Sequence, residues 1–497
     1  MEKMMKQKET NVKIVTLTVF IATFMTAIEA TIVSTAMPTI AGQLKGGEIM
    51  SWVFSIYLLT NAMMTPVYGK LADRIGRKPI FLFGIVVFII GSSLCGISGS
   101  MLQLIIFRAI QGIGAGAIMP VALTIIADIY PIDKRAKVLG LSSAFWGIAS
   151  VVGPLCGGFI VDTIGWHWIF FVNVPIGIIL VFLIMIFLVE PKNEHDKQPI
   201  DVAGSLSLMM FLLALLYGFQ TLSEGTGFGL ASVLSFGIAI GFCLLFVFIE
   251  KRAKDPVISL DLFKNKTFMI VNIIAALVSG FLMGIDVYIP MWMQGVLGLK
   301  AALGGMALAP LSFTWIIGSL LAGRLLEKTT TKRALTIGLV IIIIGGLMLA
   351  NAPVSTPFWA FCLISGFTGI GLGITITGST VKAQSSVSHD NVGVATSFNT
   401  LMRTLGQTIM VSIFGVILNN HLNNEIAANA DLGLTRDMID QLSNRETLGE
   451  LAADVIEPLR EILYKGLHSV YFVGVILLVV AILLNQFQKS ERLIHKD

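Results

Sequence analysis

Apolar runs of about 20 residues recur along this chain, and each is long enough, as a helix, to cross the roughly 30 Å hydrocarbon layer of a bilayer. They lie at 14–36, 50–69, 80–98, 102–126, 138–161, 168–189, 201–221, 228–249, 268–293, 304–326, 334–351, 357–381, 394–419 and 466–487. In lipid no water satisfies a free N–H or C=O, so only helices and closed barrels can span. These runs are continuous rather than alternating in polarity, which selects the helix. The composition agrees: 55% of the 497 residues are hydrophobic and 13% are charged, against about 25% charged in a soluble domain. The expected fold class is therefore an all-α integral membrane protein with 14 transmembrane helices. A net charge of +4 gives no reason to expect a nucleic-acid partner. Cys95, Cys156, Cys243 and Cys362 all lie inside apolar runs without metal spacing, so they read as small packing residues.

Loop charge orients the chain. Lys3, Lys6, Lys8 and Lys13 precede the first run, and Lys70, Arg74, Arg77 and Lys78 follow the second. Lys134, Arg135 and Lys137 follow the fourth, and Lys489, Arg492 and Lys496 end the chain. The alternate loops are short and nearly uncharged, so both termini are expected in the cytoplasm. The first run is too long for a signal peptide and holds Glu29, so it reads as a retained span. One outer segment, 420–465, is polar and acidic, and Leu442, Leu448, Leu451, Val455 and Leu459 suggest amphipathic helical pieces in a small external cap.

The chain repeats weakly. Gly69-Lys70-Leu71-Ala72-Asp73-Arg74 closes span 2, and Gly323-Arg324-Leu325-Leu326-Glu327-Lys328 closes span 10. Internal repeats around a midplane site are a transporter architecture. The expected organisation is a six-helix bundle over 1–190, two inserted spans over 191–260, and a second six-helix bundle over 261–497 carrying the outer segment 420–465.

Four motifs sharpen this. The string Gly69 to Lys78 joins spans 2 and 3; its glycines permit a tight turn and close helix approach, and Asp73 can engage a helix end or an arginine as a breakable latch. In span 4, Arg108, Gln111 and Gly112 share one helix face. An arginine there needs an acidic or polar partner or a wet cavity. In span 5, Gly147-x5-Gly153-Pro154-x-x-Gly157-Gly158 combines small-residue packing with a bend. Span 1 closes with Ile28-Glu29-Ala30-Thr31-Ile32-Val33-Ser34-Thr35-Ala36-Met37-Pro38.

The ten-residue loop, with Gly69, Asp73, Arg74, Gly76 and Arg77, resembles the signature loop of the major facilitator superfamily. The span-4 string looks like that superfamily's arginine motif, linked there to proton movement. The span-5 string looks like its antiporter motif, which points to exporters. The span-1 string, together with Trp166-His167-Trp168-Ile169-Phe170-Phe171-Val172-Asn173-Val174-Pro175-Ile176-Gly177, resembles the 14-span drug:proton antiporter branch (QacA/EmrB-like). Glu29 stands where that branch has Asp, and Ser34 where it has Asn. The resemblance implies the major facilitator fold, two six-helix bundles plus two inserted spans. It also implies a bacterial plasma-membrane exporter of hydrophobic or cationic drugs that works as a monomer among lipids and uses protons as coupling ion, with no other cofactor.

Four ionisable groups sit deep in spans: Glu29, Arg108, Asp286 and Arg403. At about 1.5 Å per residue, Glu29 is roughly 22 Å from the cytoplasmic end of span 1, and Arg108 roughly 9 Å from the outer end of span 4, a similar height. Burial disfavours a charged carboxyl and a cationic cargo favours it, so proton and cargo can exchange at one acid. Glu29 and Asp286 are the expected coupling acids, with Arg108 and Gln111 tuning Glu29 and Arg403 tying helices. The bland alternatives are a structural Glu29–Arg108 pair and a pore-rim Asp286. Phe24, Met25, Met283, Tyr288, Met291, Trp292 and Met293 lie near these acids and offer a soft apolar wall, or ordinary core. No Gly-x4-Gly-Lys-Ser/Thr string supports ATP drive. Histidines do not cluster, so neither hydrolase nor metal chemistry is expected. A dedicated exporter of an endogenous lipid, metabolite or peptide is the competing reading; a non-transporting sensor or channel is a third.

Overall fold

The computed structural model describes residues 10–130, 132–190, 201–224, 229–253, 263–387, 392–442 and 447–488; some side chains within its helices, Asp73, Arg74 and Gly147 among them, lie outside the description. The secondary structure described is helical throughout. In chain order the helices are α1 (Val12–Leu44), α2 (Met50–Ile75), α3 (Arg77–Gly96), α4 (Met101–Ile129), α5 (Ile132–Ile164), α6 (Trp168–Phe171), α7 (Asn173–Phe187), α8 (Val202–Glu224) and α9 (Leu230–Glu250). They continue as α10 (Lys266–Met291), α11 (Ala301–Lys328), α12 (Thr331–Ala350), α13 (Phe358–Ser385), α14 (Val392–Ala428), α15 (Arg436–Leu442) and α16 (Ala453–Gln486).

The helix ends are written in the chain. Asn11, Ser100, Asn265 and Thr330 each accept a backbone N–H of the first turn that follows, which satisfies a donor the helix itself cannot. Gly76, at φ 116°, makes the turn from α2 to α3, a backbone region that favours glycine. Past α10 the chain continues as one π-helical turn, Trp292–Val296, around the buried Trp292.

Twelve of the described helical stretches, rather than the fourteen expected, are long and apolar enough to cross a membrane. The two absent from that set correspond to runs 50–69 and 138–161. Both are helices: α2 has 26 residues and α5 has 33. The described apolar part of α5 is only Val152–Ile164, and α2 carries Ser51, Ser55, Thr60 and Asn61. For α2 the physical reason is its position: it packs against α14 of the other bundle, and polar residues line that contact. Most side chains of α5 before Val152 lie outside the described residues, so the expected span 138–161 is not tested there.

Helices α1–α7 form one bundle and α10–α14 with α16 the other. They meet along two seams, α5 against α11 and α2 against α14, with α1 crossing to α10 and α11. The hairpin α8–α9 lies beside the second seam, where Leu208, Leu212 and Leu216 of α8 pack with Ile56, Leu59 and Met63 of α2 and Phe398 of α14. The ends are called inner and outer below by the loop-charge orientation. At the outer end, about half of 420–465 extends α14 and α16, and α15 folds between them with Ile439 and Leu442 buried. Among the described residues the segment packs as the expected cap, with Leu434, Ile439, Leu442 and Leu459 buried.

Candidate functional site

The deepest polar cluster lies inside the first bundle. Glu29 on α1 is fully buried and Arg108 on α4 is 1% exposed. Arg108 Nη1 donates to Glu29 Oε1 at 2.6 Å and to Gln111 Oε1 at 2.8 Å, and its Nε donates to the carbonyl of Val53 at 3.3 Å. The guanidinium sits 4.0 Å over the Tyr57 ring, adding a cation–π contact. Asn173 Nδ2 donates to Glu29 Oε2 at 2.7 Å and to Ser92 Oγ at 3.0 Å, and Ser92 in turn donates to the carbonyl of Phe170. Both carboxylate oxygens are thus satisfied, which is what a charge kept from water requires. Gln111 Nε2 and Tyr57 Oη remain buried without a hydrogen-bond partner. Glu29 and Arg108 are at one height, as helix rise implies, and they touch. Asn173 entered the sequence reading only as a member of the Trp166–Gly177 string, and Ser92 and Tyr57 not at all; an Asn within an apolar span was the available signal.

Asp286 differs. Along Val278–Val296 every residue is buried except Asp286, which keeps partial solvent exposure while Ile285 and Val287 flank it at 0% and 1%. Among the described residues it makes no hydrogen bond or ion pair. An acid within a membrane-spanning helix and without a partner is costly, which makes Asp286 a candidate to line an interior path. Its aromatic and thioether neighbours are not: Met283, Tyr288, Met291, Trp292 and Met293 all join the hydrophobic core. Trp292 packs against Phe361, Tyr464, His468 and Tyr471, which explains its burial. Of the two expectations for these positions, a soft wall or ordinary core, the burial fits the second.

Arg403 on α14 is not a helix tie among the described residues. Its Nε is buried without a hydrogen-bond partner. One turn away neutral groups do the tying: Asn399 Nδ2 donates to Asn272 Oδ1 of α10, and Thr380 Oγ1 of α13 donates to Asn399 Oδ1, both at 2.9 Å. Two amides and a hydroxyl join three helices at less desolvation cost than a guanidinium.

The span-5 motif lies where α5 touches helices of both bundles. A Cβ on Gly157 would stand 2.7 Å from the carbonyl oxygen of Ile32 on α1, and one on Gly153 would overlap Thr31. A Cβ on Gly158 would overlap Ala302 of α11, and one on Gly305 would overlap the carbonyl of Pro154. Only glycine admits this approach. Outer-end contacts reinforce the seam. Asp162 at the end of α5 accepts the N–H groups of Ala301 (3.2 Å) and Ala302 (2.9 Å) that open α11. Gln294 donates to the carbonyl of Thr35 and accepts from the Thr39 hydroxyl, each at 3.0 Å. These bonds join the two bundles at that end of the seam.

At the inner end, the turn residue of the signature loop is Gly76. Among the described residues nothing lies within 4 Å of a Cβ built on Gly69, so close approach does not explain that glycine here. Arg77 pairs with Asp128, and Glu190 accepts the N–H groups of Arg77 (2.5 Å) and Lys78 (3.2 Å) at the start of α3. The expected latch groups Asp73 and Arg74, and Gly147, lie outside the described side chains.

Comparison with known proteins agrees with this architecture. The model of the Major Facilitator Superfamily matches residues 19–411. "Multidrug resistance protein 3" of Bacillus subtilis is 37% identical over 84% of this chain and 82% of its own length. "Multidrug transporter protein MdtP" of the same organism is 31% identical over 96% and 93%. Among solved structures, a bacterial homologue of the human lysosomal transporter Spinster, inward-facing and unoccupied, superposes with TM-score 0.71 at 18% identity over 95% of each chain. A peptide transporter of the POT family superposes at 0.63 with 14% identity, over 97% of this chain and 99% of that one. Two packed helical bundles, the matched signature and these relatives converge: the chain belongs to the Major Facilitator Superfamily of membrane transporters.

Proposed function

We propose that this protein is a proton-coupled antiporter that exports hydrophobic or cationic drugs by alternating access, in the 14-span branch of the superfamily. Both termini face the cytoplasm of a bacterial cell, and α2 and α5 complete the fourteen spans. A 26-residue helix is about 39 Å long, enough to cross even with polar groups along its pathway face. Its matches to relatives named for multidrug resistance support the cargo class. Cargo enters from the cytoplasm while the outer seam is closed.

The observation that carries the coupling is the contrast between the two acids. Glu29 is sealed and paired with Arg108 at 2.6 Å, whereas Asp286 is unpaired and partly exposed. Asp286 is therefore the exchange group: it holds either a proton or the positive charge of a bound cation. Glu29 and Arg108 form the partner switch that a displaced water or Gln111 would release. A membrane potential supplies about 2.3 kcal/mol per charge per 100 mV, enough for one or two protons per cycle to sustain a concentration gradient. Everted vesicles loaded by an imposed pH gradient test this. Ethidium uptake should collapse with an uncoupler and be lost in Asp286→Asn. Uptake by D286N with the parent's pH-gradient dependence would remove Asp286 from the coupling.

A further inference from the structure

The outer cap crosses from one bundle to the other. It belongs to the second bundle, between α14 and α16, yet α15 packs against α1. Ile439 and Leu442 join the core cluster that also holds Ile40, Ala41 and Met50 at the outer ends of α1 and α2. Asp440, between them and 4% exposed, accepts the backbone N–H of Gly47 at 3.0 Å. A Cβ on Gly47 would stand 2.9 Å from the Asp440 carboxyl carbon, so the glycine is what admits the carboxyl. Beside it, Asn419 Nδ2 donates to the carbonyl of Glu48 at 2.6 Å and its Oδ1 accepts from Arg436 Nη2 at 2.9 Å. Asp440 and Asn419 of the second bundle thus grip two consecutive backbone positions of the first, and Arg436 braces them. Neither α15 nor these contacts take part in the site above.

We propose that α15 is a lid over the outer mouth and that Asp440 is its latch, seated on the Gly47 N–H of the opposite bundle. The idea rests on the alternating-access reading, since the mouth must open once per cycle. When the bundles part at the outer end, the Asp440–Gly47 contact has to break and the carboxyl enters water.

That movement makes the lid respond to external acid. Burial pushes the Asp440 carboxyl up to about 6 from 3.8; Arg436 and the Gly47 N–H oppose the rise, and Asp437 and Glu48 add to it. Released, the group regains its ordinary value. A carboxyl with the higher pKa in the latched form takes up a proton on latching. The lid therefore tightens as external pH falls through about 6, and loosens above it as the buried group ionises. The neutral acid keeps a carbonyl oxygen for the Gly47 N–H, so protonation does not undo the contact. The gap between the two values limits the change in the closed-to-open ratio to roughly 100-fold. External protons thus return the carrier to its inward-open form.

The test reads the mouth directly. Thr39, which bonds Gln294 across the seam, becomes the reporter as Thr39→Cys in a chain whose Cys156, Cys243 and Cys362 are replaced by Ser. Labelling by a membrane-impermeant maleimide is followed on intact cells between pH 5 and pH 8. Labelling of the reporter chain, corrected for thiol ionisation with an exposed control cysteine, should slow as pH falls through about 6. Adding D440N should leave the mouth closed and that dependence flat. Adding D440A should speed labelling by about tenfold or more at pH 8, the loss of a buried charge-assisted bond. In a second variant, Gly47→Cys with Asp440→Cys, oxidation should join the two side chains and block labelling until a reductant is added. The same pH dependence in D440N and its parent, unchanged labelling in D440A, or labelling through an intact cross-link would each overturn the lid. No export is read here, so failed ethidium transport would strike the proposed function and leave this result standing.

Discussion

Replacing Glu29 by Gln removes the one carboxylate that Arg108 touches while keeping the side-chain length. The consequence can be sized. The pair is 2.6 Å apart with side chains 0% and 1% exposed, so little solvent screens it. At an effective dielectric constant of 20 the Coulomb attraction at this distance is about 6 kcal/mol, most of which offsets the desolvation of two charges. Losing one partner leaves an uncompensated guanidinium in the bundle, and the expected cost is about 3–5 kcal/mol. The Tyr57 ring and the Val53 carbonyl remain with Arg108 and limit the loss to the lower part of that range. Arg108→Met should cost a similar amount by stranding Glu29. The double variant E29Q/R108M buries no charge and should recover at least half of the summed loss, a coupling energy of about 3 kcal/mol. Thermal unfolding of purified protein in one detergent, followed by tryptophan fluorescence, measures the four forms. Additive losses with no recovery in the double variant would refute a sealed pair as the reason for these residues.

Gly158→Ala places a methyl against the Ala302 backbone across the α5–α11 seam, so the outer-closed form should lose about 1–3 kcal/mol; faster hydrogen exchange over 301–305 at unchanged expression checks this. Asn173→Leu deletes a donor to Glu29 and to Ser92 and should lower the unfolding midpoint by the equivalent of about 1–3 kcal/mol, with Asn173→Gln partly restoring it. Glu190→Gln weakens the carboxylate that accepts two N–H groups at the start of α3; hydrogen exchange at residues 77–80 should rise several-fold while ethidium binding persists.

The membrane architecture was legible because lipid demands long apolar helices, and the glycines of span 5 were legible because their spacing marks one packing face. Equal helix depth was enough to bring Glu29 and Arg108 together. Three things were not available from one dimension. The helix α2 carries the polar residues of its seam with α14, so its apolar character falls short although it is a helix of full length. Asn173, Ser92 and Tyr57 reach the charge pair from other helices, and nothing in their local sequence announces a shared partner. Asp440 and Asp162 act on backbone N–H groups more than 100 residues away, a contact with no side-chain signature at its other end. Arg403 shows the reverse case: depth alone suggested a tie, and neutral Asn399 and Asn272 do that work nearby.

The most direct measurement is proton exchange itself. Purified protein in weakly buffered detergent near pH 7, given ethidium, should release protons into an indicator dye in proportion to the cation bound. D286N should bind ethidium and release none. Release of the same quantity from D286N, or binding by the parent protein with no proton appearing, would contradict the claim that cargo and proton share Asp286.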